Sequence, residues 1–472
     1  MPHPDAIVIG SGPNGLAAAI VIAQAGRSVT VFEAEPTIGG GARSAELTLP
    51  GFAHDVCSAV HPFARASPFF RTLPLEVHGL EWIEPPIMVA HPFDDGRCAV
   101  IHRSIQSTAA SLGADGPAYR RLITPIVDSW PQLEPSVLGR LRWPRHPVAL
   151  ARFGVQALRS ASGLTRALFA DDRTRALLAG IASHAMLPLE KVPTAAFGLV
   201  LAALAHVAGW VIPRGGAQRL TDALAAHLRS LGGTIESDAR VQSIDDLPPV
   251  RAILCDLSPK PFLTIAGHRL PPWYRRQLER YRYGMGVFKV DWALDGPIPW
   301  RSAACARAGT VHLGGSLEEM EQSERAAWEG RLAERPFVLL AQPTLFDPTR
   351  APEGRHIAWT YCHVPHGSAA DMLPPLEQQI ERFAPGFRGR VLARAVTKPA
   401  DIERHNANLV GGDIGAGICD VRQLFLRPTW RAHSTPVRGL YLCSASTPPG
   451  VGVHGMCGYY AAQRALDEVL RD

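Results

Sequence analysis

Apolar positions along the chain follow two rhythms. Short unbroken runs such as Ala6-Ile-Val-Ile9, Ala252-Ile-Leu-Cys255 and Gly439-Leu-Tyr-Leu-Cys443 read as buried strands, while Leu220, Leu224 and Leu228 recur at helical spacing. The opening gives the fullest pattern: a strand from Ala6 to Ile9, a glycine turn from Gly10 to Gly15, an apolar helix to Gln24 stopped by Gly26, and a second strand from Ser28 to Phe32. That order predicts a βαβ unit. Further on, Pro213-Arg-Gly-Gly216 opens the helix that carries Leu220, and Gly232-Gly233 closes it before Thr234-Ile-Glu236, which returns the chain to the same sheet. Runs such as Val287 to Leu294, Phe337 to Gln342 and His356 to Val364 predict a second, antiparallel sheet carrying helices. Ala195 to Ile212, 18 residues interrupted only by His206, reaches the length of a marginal membrane span. Its Ala and Gly content, the internal histidine and the bracketing Pro193 and Pro213 predict a buried helix instead.

The glycine turn carries candidate chemistry. In Gly10-Ser11-Gly12-Pro13-Asn14-Gly15 the first glycine permits the turn, the second lets a pyrophosphate approach the backbone, and the third lets helix and sheet pack closely. The helix start adds unpaired N–H groups. Glu33, 23 residues after Gly10 and followed by Ala34, stands where a carboxylate can accept the ribose hydroxyls of an adenosine. A second glycine stretch, Gly39-Gly40-Gly41-Ala42-Arg43, predicts FAD as the dinucleotide, because an extended flavin needs a further loop of bare backbone and a cation at its pyrophosphate and ribityl end. A surface salt bridge is the other use for Arg43. After the late strand, Gly452-Val453-His454-Gly455-Met456 opens a helix through Ala461, Ala462, Leu466 and Val469. Its N-terminus either stabilises negative charge on a reduced flavin or is simply buried.

Composition narrows the class. With 472 residues, 46% hydrophobic and 19% charged, the chain predicts two or more domains with a large interior. The net charge is only +5, and no polybasic block interleaved with aromatics appears, so nucleic-acid binding gets no support. The eight cysteines contain no C-x-x-C pair, which points to reduced thiols in a cytoplasm and to neither a zinc site nor a dithiol centre. The N-terminus shows no export signal. Between Glu134 and Asp171 there is no acid, while Arg140, Arg142, Arg145, Arg152, Arg159 and Arg166 alternate with Trp143, Leu150, Phe153, Leu158 and Leu164. The stretch 140–166 is either a peripheral contact with anionic lipid on the inner face of a membrane or a solvated helix face packed back on the protein.

The stretches Gly10-Ser-Gly-Pro-Asn-Gly-Leu16, Gly439-Leu-Tyr-Leu-Cys443 and Pro449-Gly-Val-Gly-Val-His-Gly455 resemble the phytoene dehydrogenase-related family of FAD-dependent oxidoreductases, the branch with carotenoid desaturase and isomerase relatives. The likeness runs nearly end to end through Ser58-Ala-Val-His-Pro62, Pro213-Arg-Gly-Gly216, Tyr283-Gly-Met-Gly-Val-Phe-Lys-Val-Asp-Trp-Ala-Leu294, Asp347-Pro-Thr-Arg-Ala-Pro-Glu-Gly354 and Val410-Gly-Gly-Asp413. It implies an α/β protein whose Rossmann-like FAD-binding domain, of the glutathione-reductase-like superfamily, is discontinuous over 1–75, 212–279 and 406–472. A substrate domain of antiparallel sheet plus helices would be inserted as 76–211 and 280–405, its apolar face toward the isoalloxazine ring. It also implies that the backbone at Val241 meets the adenine. Two departures stand out. Ser444-Ala445 replace the Gly-Asp of many such flavoproteins, leaving backbone contacts to serve. The link from Val241-Gln-Ser-Ile244 to Ala252 is too short for the usual three-stranded excursion, which is expected to be trimmed.

The reaction implied by the resemblance is an FAD-dependent dehydrogenation (desaturation) of a small hydrophobic substrate, polyene or lipid-like, with hydride passing to flavin N5 and electrons to oxygen or a quinone. A redox-neutral polyene cis-trans isomerase, a flavin amine oxidase and a non-catalytic lipid-binding protein remain open in that order. Acid or base candidates are His454, Asp413, His61 and His184; each His has a hydrogen-bonded structural role as its alternative, and Asp413 a turn cap. His363-Val-Pro-His366 has an intervening proline and no companion carboxylates, so no metal is expected there.

Overall fold

The computed structural model describes residues 3–140 and 142–471; Met1, Pro2, Leu141 and Asp472 lie outside the described residues, Leu141 within the arginine-rich stretch. Five short strands form one parallel sheet in the order Leu440–Leu442, Ala252–Cys255, Ala6–Ile9, Val29–Phe32, Thr234–Glu236. A parallel sheet is covered on both faces, which is why Ala6–Ile9 and Ala252–Cys255 at its middle are apolar at every position. Ala6 and Val8 point into a core shared with the helices Pro13–Gln24, Gln218–Ser230 and Met456–Glu468, whereas Ile7 and Ile9 point to Phe262, Tyr274 and Leu278 on the other face. The first and last of these helices meet at close range: a Cβ on Gly458 would lie 1.8 Å from the Asn14 carbonyl oxygen. The two ends of the chain are thereby held together.

The second sheet has seven strands in the order Val391–Thr397, Gly286–Leu294, His356–Val364, Val338–Ala341, Ala308–Leu313, Ile87–Pro92, Cys98–Ile101. It is antiparallel as expected except at one place, where Ala308–Leu313 runs parallel to Ile87–Pro92. Those two strands lie far apart in the chain, so no hairpin forces them to oppose. All five strands of the parallel sheet fall in 1–75, 212–279 and 406–472, and all seven of the larger one in 76–211 and 280–405.

One expectation needs correcting. The apolar helix is Thr194–Val207, shorter than the apolar stretch: Gly209 turns the chain at φ 83°, and Ile212–Pro213 then pairs with Trp82–Ile83 as a short strand. No helix among the described residues is long and apolar enough to cross a membrane. Among the described residues no strand lies between Glu236 and Ala252; Val241 sits in irregular backbone ahead of a single turn, Ile244–Asp246, capped by the Ser243 hydroxyl, so the excursion is trimmed.

Candidate active site

A cavity of about 450 Å³ lies where the two sheets approach each other. Its lining combines Gly10, Gly12, Glu33, Gly40, Gly41 and Arg43 with the apolar and aromatic Phe197, Leu201, Trp210, Leu339, Trp359 and Tyr361, and Ser444, Ala445, Gly452 and Val453 join from the closing stretch. Pro13, Asn14, Ala34, Ala42, Val241, His61, His184 and Asp413 line it as well. The opening and closing stretches therefore converge on one space. Ser11, Gly15, His454, Gly455 and Met456 do not reach it. Ser11 donates to Glu33 Oε2 from both its backbone N–H (2.9 Å) and its hydroxyl (2.5 Å), fixing the carboxylate. A Cβ on Gly15 would lie 1.9 Å from the Gly10 carbonyl oxygen, so this glycine serves helix-to-strand packing.

The second glycine loop does what a bare loop can. A Cβ on Gly40 would stand 3.1 Å from Gly12 Cα, so the two glycine turns face each other with only backbone between them. Arg43 is no surface residue: it is buried, its Nε donates to the Gly40 carbonyl at 2.9 Å and its terminal nitrogen to the His405 carbonyl at 2.6 Å. No carboxylate among the described residues pairs with it. A buried guanidinium on a cavity wall with no counter-ion is a site for an anion, since such charge is otherwise left uncompensated.

The acid or base candidates separate by environment. Burial drives the His454 imidazole down to about 4, and its Nδ1 accepts the Met456 N–H at 3.0 Å, a cap on the last helix in place of a face on the cavity. Asp413 is raised by burial, and its carboxylate is taken up by the N–H groups of Gly284 (2.6 Å), Gly415 (2.8 Å) and Gly417 (2.9 Å), the turn-capping alternative. His61 is different: neither ring nitrogen has a partner, and burial holds it down at about 4. His184 shares a 3.3 Å hydrogen bond through Nε2 with His312 Nε2, and burial lowers it to about 3. No group of side chains among the described residues could hold a metal ion.

A family model for an NAD(P)-binding Rossmann-like domain matches residues 8–73. The pyridine nucleotide-disulfide oxidoreductase domain-containing protein 2 of Rattus norvegicus is 28% identical, covering 98% of this chain and 93% of its own. Phytoene dehydrogenase of Streptomyces griseus is 28% identical over 83% of this chain and 78% of its own. Cyclohexylamine oxidase from Brevibacterium oxydans shares the fold, with a TM-score of 0.60 at 16% identity over 99% of this chain and 98% of that one. Over most of its length the chain is similar to phytoene dehydrogenases, and it is an oxidoreductase.

Sequence reasoning missed two residues that shape the oxidoreductase's site. Asp256, directly after the strand Ala252–Cys255, accepts the Gly15 N–H at 3.0 Å through Oδ2, the atom that a Cβ on Gly12 would meet at 2.8 Å. Burial lifts it to about 7, with Glu33 adding to the rise. Its strand-end position was the available signal. Arg427, buried, donates to the Ala445 carbonyl at 3.1 Å and to the Gly415 carbonyl at 3.0 Å, tying the loop around Asp413 to the closing stretch. Its surroundings in sequence carry no comparable mark.

Proposed function

We propose that this chain is an FAD-dependent dehydrogenase of a hydrophobic, polyene or lipid-like substrate, with oxygen or a quinone as final electron acceptor. The observation that carries the reading is the buried Arg43, without a carboxylate partner, in a cavity lined both by glycine loops and by apolar side chains. The residues fit the cofactor: Glu33 would hold the adenosine ribose, the Val241 backbone the adenine, Gly12 with the helix start and Arg43 the pyrophosphate, and the backbone of Ser444, Ala445, Gly452 and Val453 the flavin end. When bound, a flavin supplies the two-electron acceptor that no side chain offers. Phe197, Leu201 and Trp210 orient an apolar substrate and exclude water, while His61 and His184, neutral at physiological pH, are the groups able to hold a proton.

The test is anaerobic addition of phytoene in detergent to the purified protein, followed by absorbance and by analysis of the product. Bleaching of a yellow cofactor with a new double bond is expected. An unchanged flavin with altered double-bond geometry would mean isomerisation, and a colourless protein with no releasable FAD would overturn the enzymatic reading in favour of lipid binding.

A lipid-like substrate needs a route from a lipid phase, and the arginine-rich stretch supplies a surface for one. Trp143 is 88% exposed and Val155 70%. Val148, Arg152 and Val155 share one face of the helix Pro147–Ala157. Arg142, Arg145 and Arg152 are exposed and form no ion pair among the described residues. Arg166 belongs elsewhere: it folds back onto Glu321 at 2.5 Å and Glu318 at 3.0 Å. Peripheral docking on anionic lipid through Arg142 to Leu158 is therefore part of the proposal.

A further inference from the structure

The sequence holds no C-x-x-C pair, yet folding brings two cysteines together. Cys98 opens the edge strand Cys98–Ile101, and Cys305 opens the single turn Cys305–Arg307 that leads into Ala308–Leu313. They are 207 residues apart in the chain and their sulfurs lie 3.9 Å apart. Cys305 is buried among Ile87, Ala90 and Val100, so its turn covers the hairpin to which Cys98 belongs. Cys98 keeps part of its surface open to solvent. The two thiols are therefore unlike. The hydrogen bond between them holds Cys98 below the usual thiol range, while the same bond and burial push Cys305 far above it. An ionisable, reachable thiol beside an enclosed one is the arrangement of an attacking and a resolving cysteine. A disulfide bond is about 2.05 Å long, so each sulfur has to swing by only about 1 Å to form one.

We propose that Cys98 and Cys305 form a peroxide-responsive dithiol, closing to a disulfide that fastens the hairpin of Ile87–Pro92 and Cys98–Ile101 to the turn ahead of Ala308–Leu313. Hydrogen peroxide is the oxidant. The Cys98 thiolate attacks one peroxide oxygen, the O–O bond breaks, and the departing hydroxide takes the proton that Cys98 gave up, leaving water and a sulfenic acid on Cys98. The Cys305 sulfur then attacks the Cys98 sulfur. An S–S bond forms, the S–O bond breaks, and the oxygen leaves with the Cys305 proton as a second water. Two thiols thus pass two electrons and two protons to one peroxide, and an external dithiol reverses the change. The link joins stretches of chain that no hairpin connects, and it limits the unfolded chain over a long loop, so the closed form is the more stable one. It also braces the strand that brings Thr310 to the cavity wall. Any source of peroxide serves, so the dithiol stands apart from the dehydrogenase reading.

The experiment treats the purified full-length protein with a few equivalents of hydrogen peroxide, blocks the remaining thiols with iodoacetamide and digests it with trypsin without reduction. Cleavage after Arg97, Arg103, Arg301 and Arg307 puts each cysteine alone in a peptide, 98–103 and 302–307. These two peptides should appear joined, in about tenfold or greater excess over any other cysteine pair, and should separate with dithiothreitol. Cys305→Ser should halt the reaction at a Cys98 sulfenic acid that dimedone traps, and Cys98→Ser should leave Cys305 a free thiol. Oxidised wild type should unfold at a higher urea concentration than reduced wild type, a difference that dithiothreitol removes and Cys98→Ser never shows. Peptides 98–103 and 302–307 left unjoined, or joined no more often than other cysteine pairs, would overturn the proposal. That result is read on wild type, so it decides the matter even if neither variant folds. Flavin absorbance of the same sample reports separately on the dehydrogenase reading: a colourless protein that still forms the link would sink that reading and leave the dithiol standing.

Discussion

Asp256 sets a carboxylate against the turn where a phosphate would bind. Its pKa lies at about 7 against an ordinary 3.8, with burial as the main cause. A folded-state value above the unfolded one means that ionisation works against the fold. The stability its neutral form allows is full below the unfolded value and is lost as pH climbs through about 7. Asp256→Asn keeps an acceptor for the Gly15 N–H and removes the charge. The cofactor-free variant should melt at a higher temperature than wild type at about pH 8 and show a flatter profile down to about pH 4; parallel melting profiles would refute the assignment. Arg43→Met tests the opposite charge. Losing a charge-assisted contact worth about 2 kcal/mol should weaken flavin retention roughly thirtyfold with the fold intact, read by equilibrium dialysis against FAD. Residue identities near the turn were legible because Gly10 through Glu33 lie in one short stretch. The Gly15–Asp256 bond joins residues 241 apart and is made by strand pairing, so no local pattern announces it. His454 shows the converse: its type invited an acid/base role, and only its bond to the Met456 N–H shows what it does.

At the scale of elements, the packing of the first helix on the last decides where the first glycine turn sits. Gly458→Ala would drive a Cβ into the Asn14 carbonyl, 1.8 Å away, and the helices must part. The expected cost is about 2 kcal/mol, seen as a lower urea midpoint. Gly154→Ala is the control: nothing lies within 4 Å of its added Cβ in the helix Pro147–Ala157, so the exchange should be neutral or add up to about 1 kcal/mol. If both variants lose equally, close packing at Gly458 is not what places the turn. Strands buried on both faces were legible as apolar runs, and His356–Val364 has the bounds its pattern suggests. The parallel pairing of Ile87–Pro92 with Ala308–Leu313 was not, because it joins stretches more than 200 residues apart and no local pattern marks it.

For the whole molecule, the proposed lipid-like substrate raises the question of how an enzyme meets a molecule that water does not carry. Trp143, Val148, Val155 and Leu158 project from one segment together with Arg142, Arg145 and Arg152. Scattered apolar residues on a surface need no explanation, but an exposed tryptophan among arginines without counter-ions matches the headgroup region of an anionic bilayer. The arginines should act through charge and Trp143 through burial, so the two can be told apart. Wild-type protein should float with phosphatidylserine-containing vesicles and much less with pure phosphatidylcholine. At about 1 kcal/mol for each arginine near the surface, replacing Arg142, Arg145 and Arg152 by Ser should weaken that binding by roughly a hundredfold. Added salt should do the same to wild type, because the attraction falls off within a Debye length. Trp143→Ser should reduce binding at every salt concentration. Equal flotation of wild type and the triple variant on anionic vesicles would remove the membrane from the account and return the segment to the role of a solvated face.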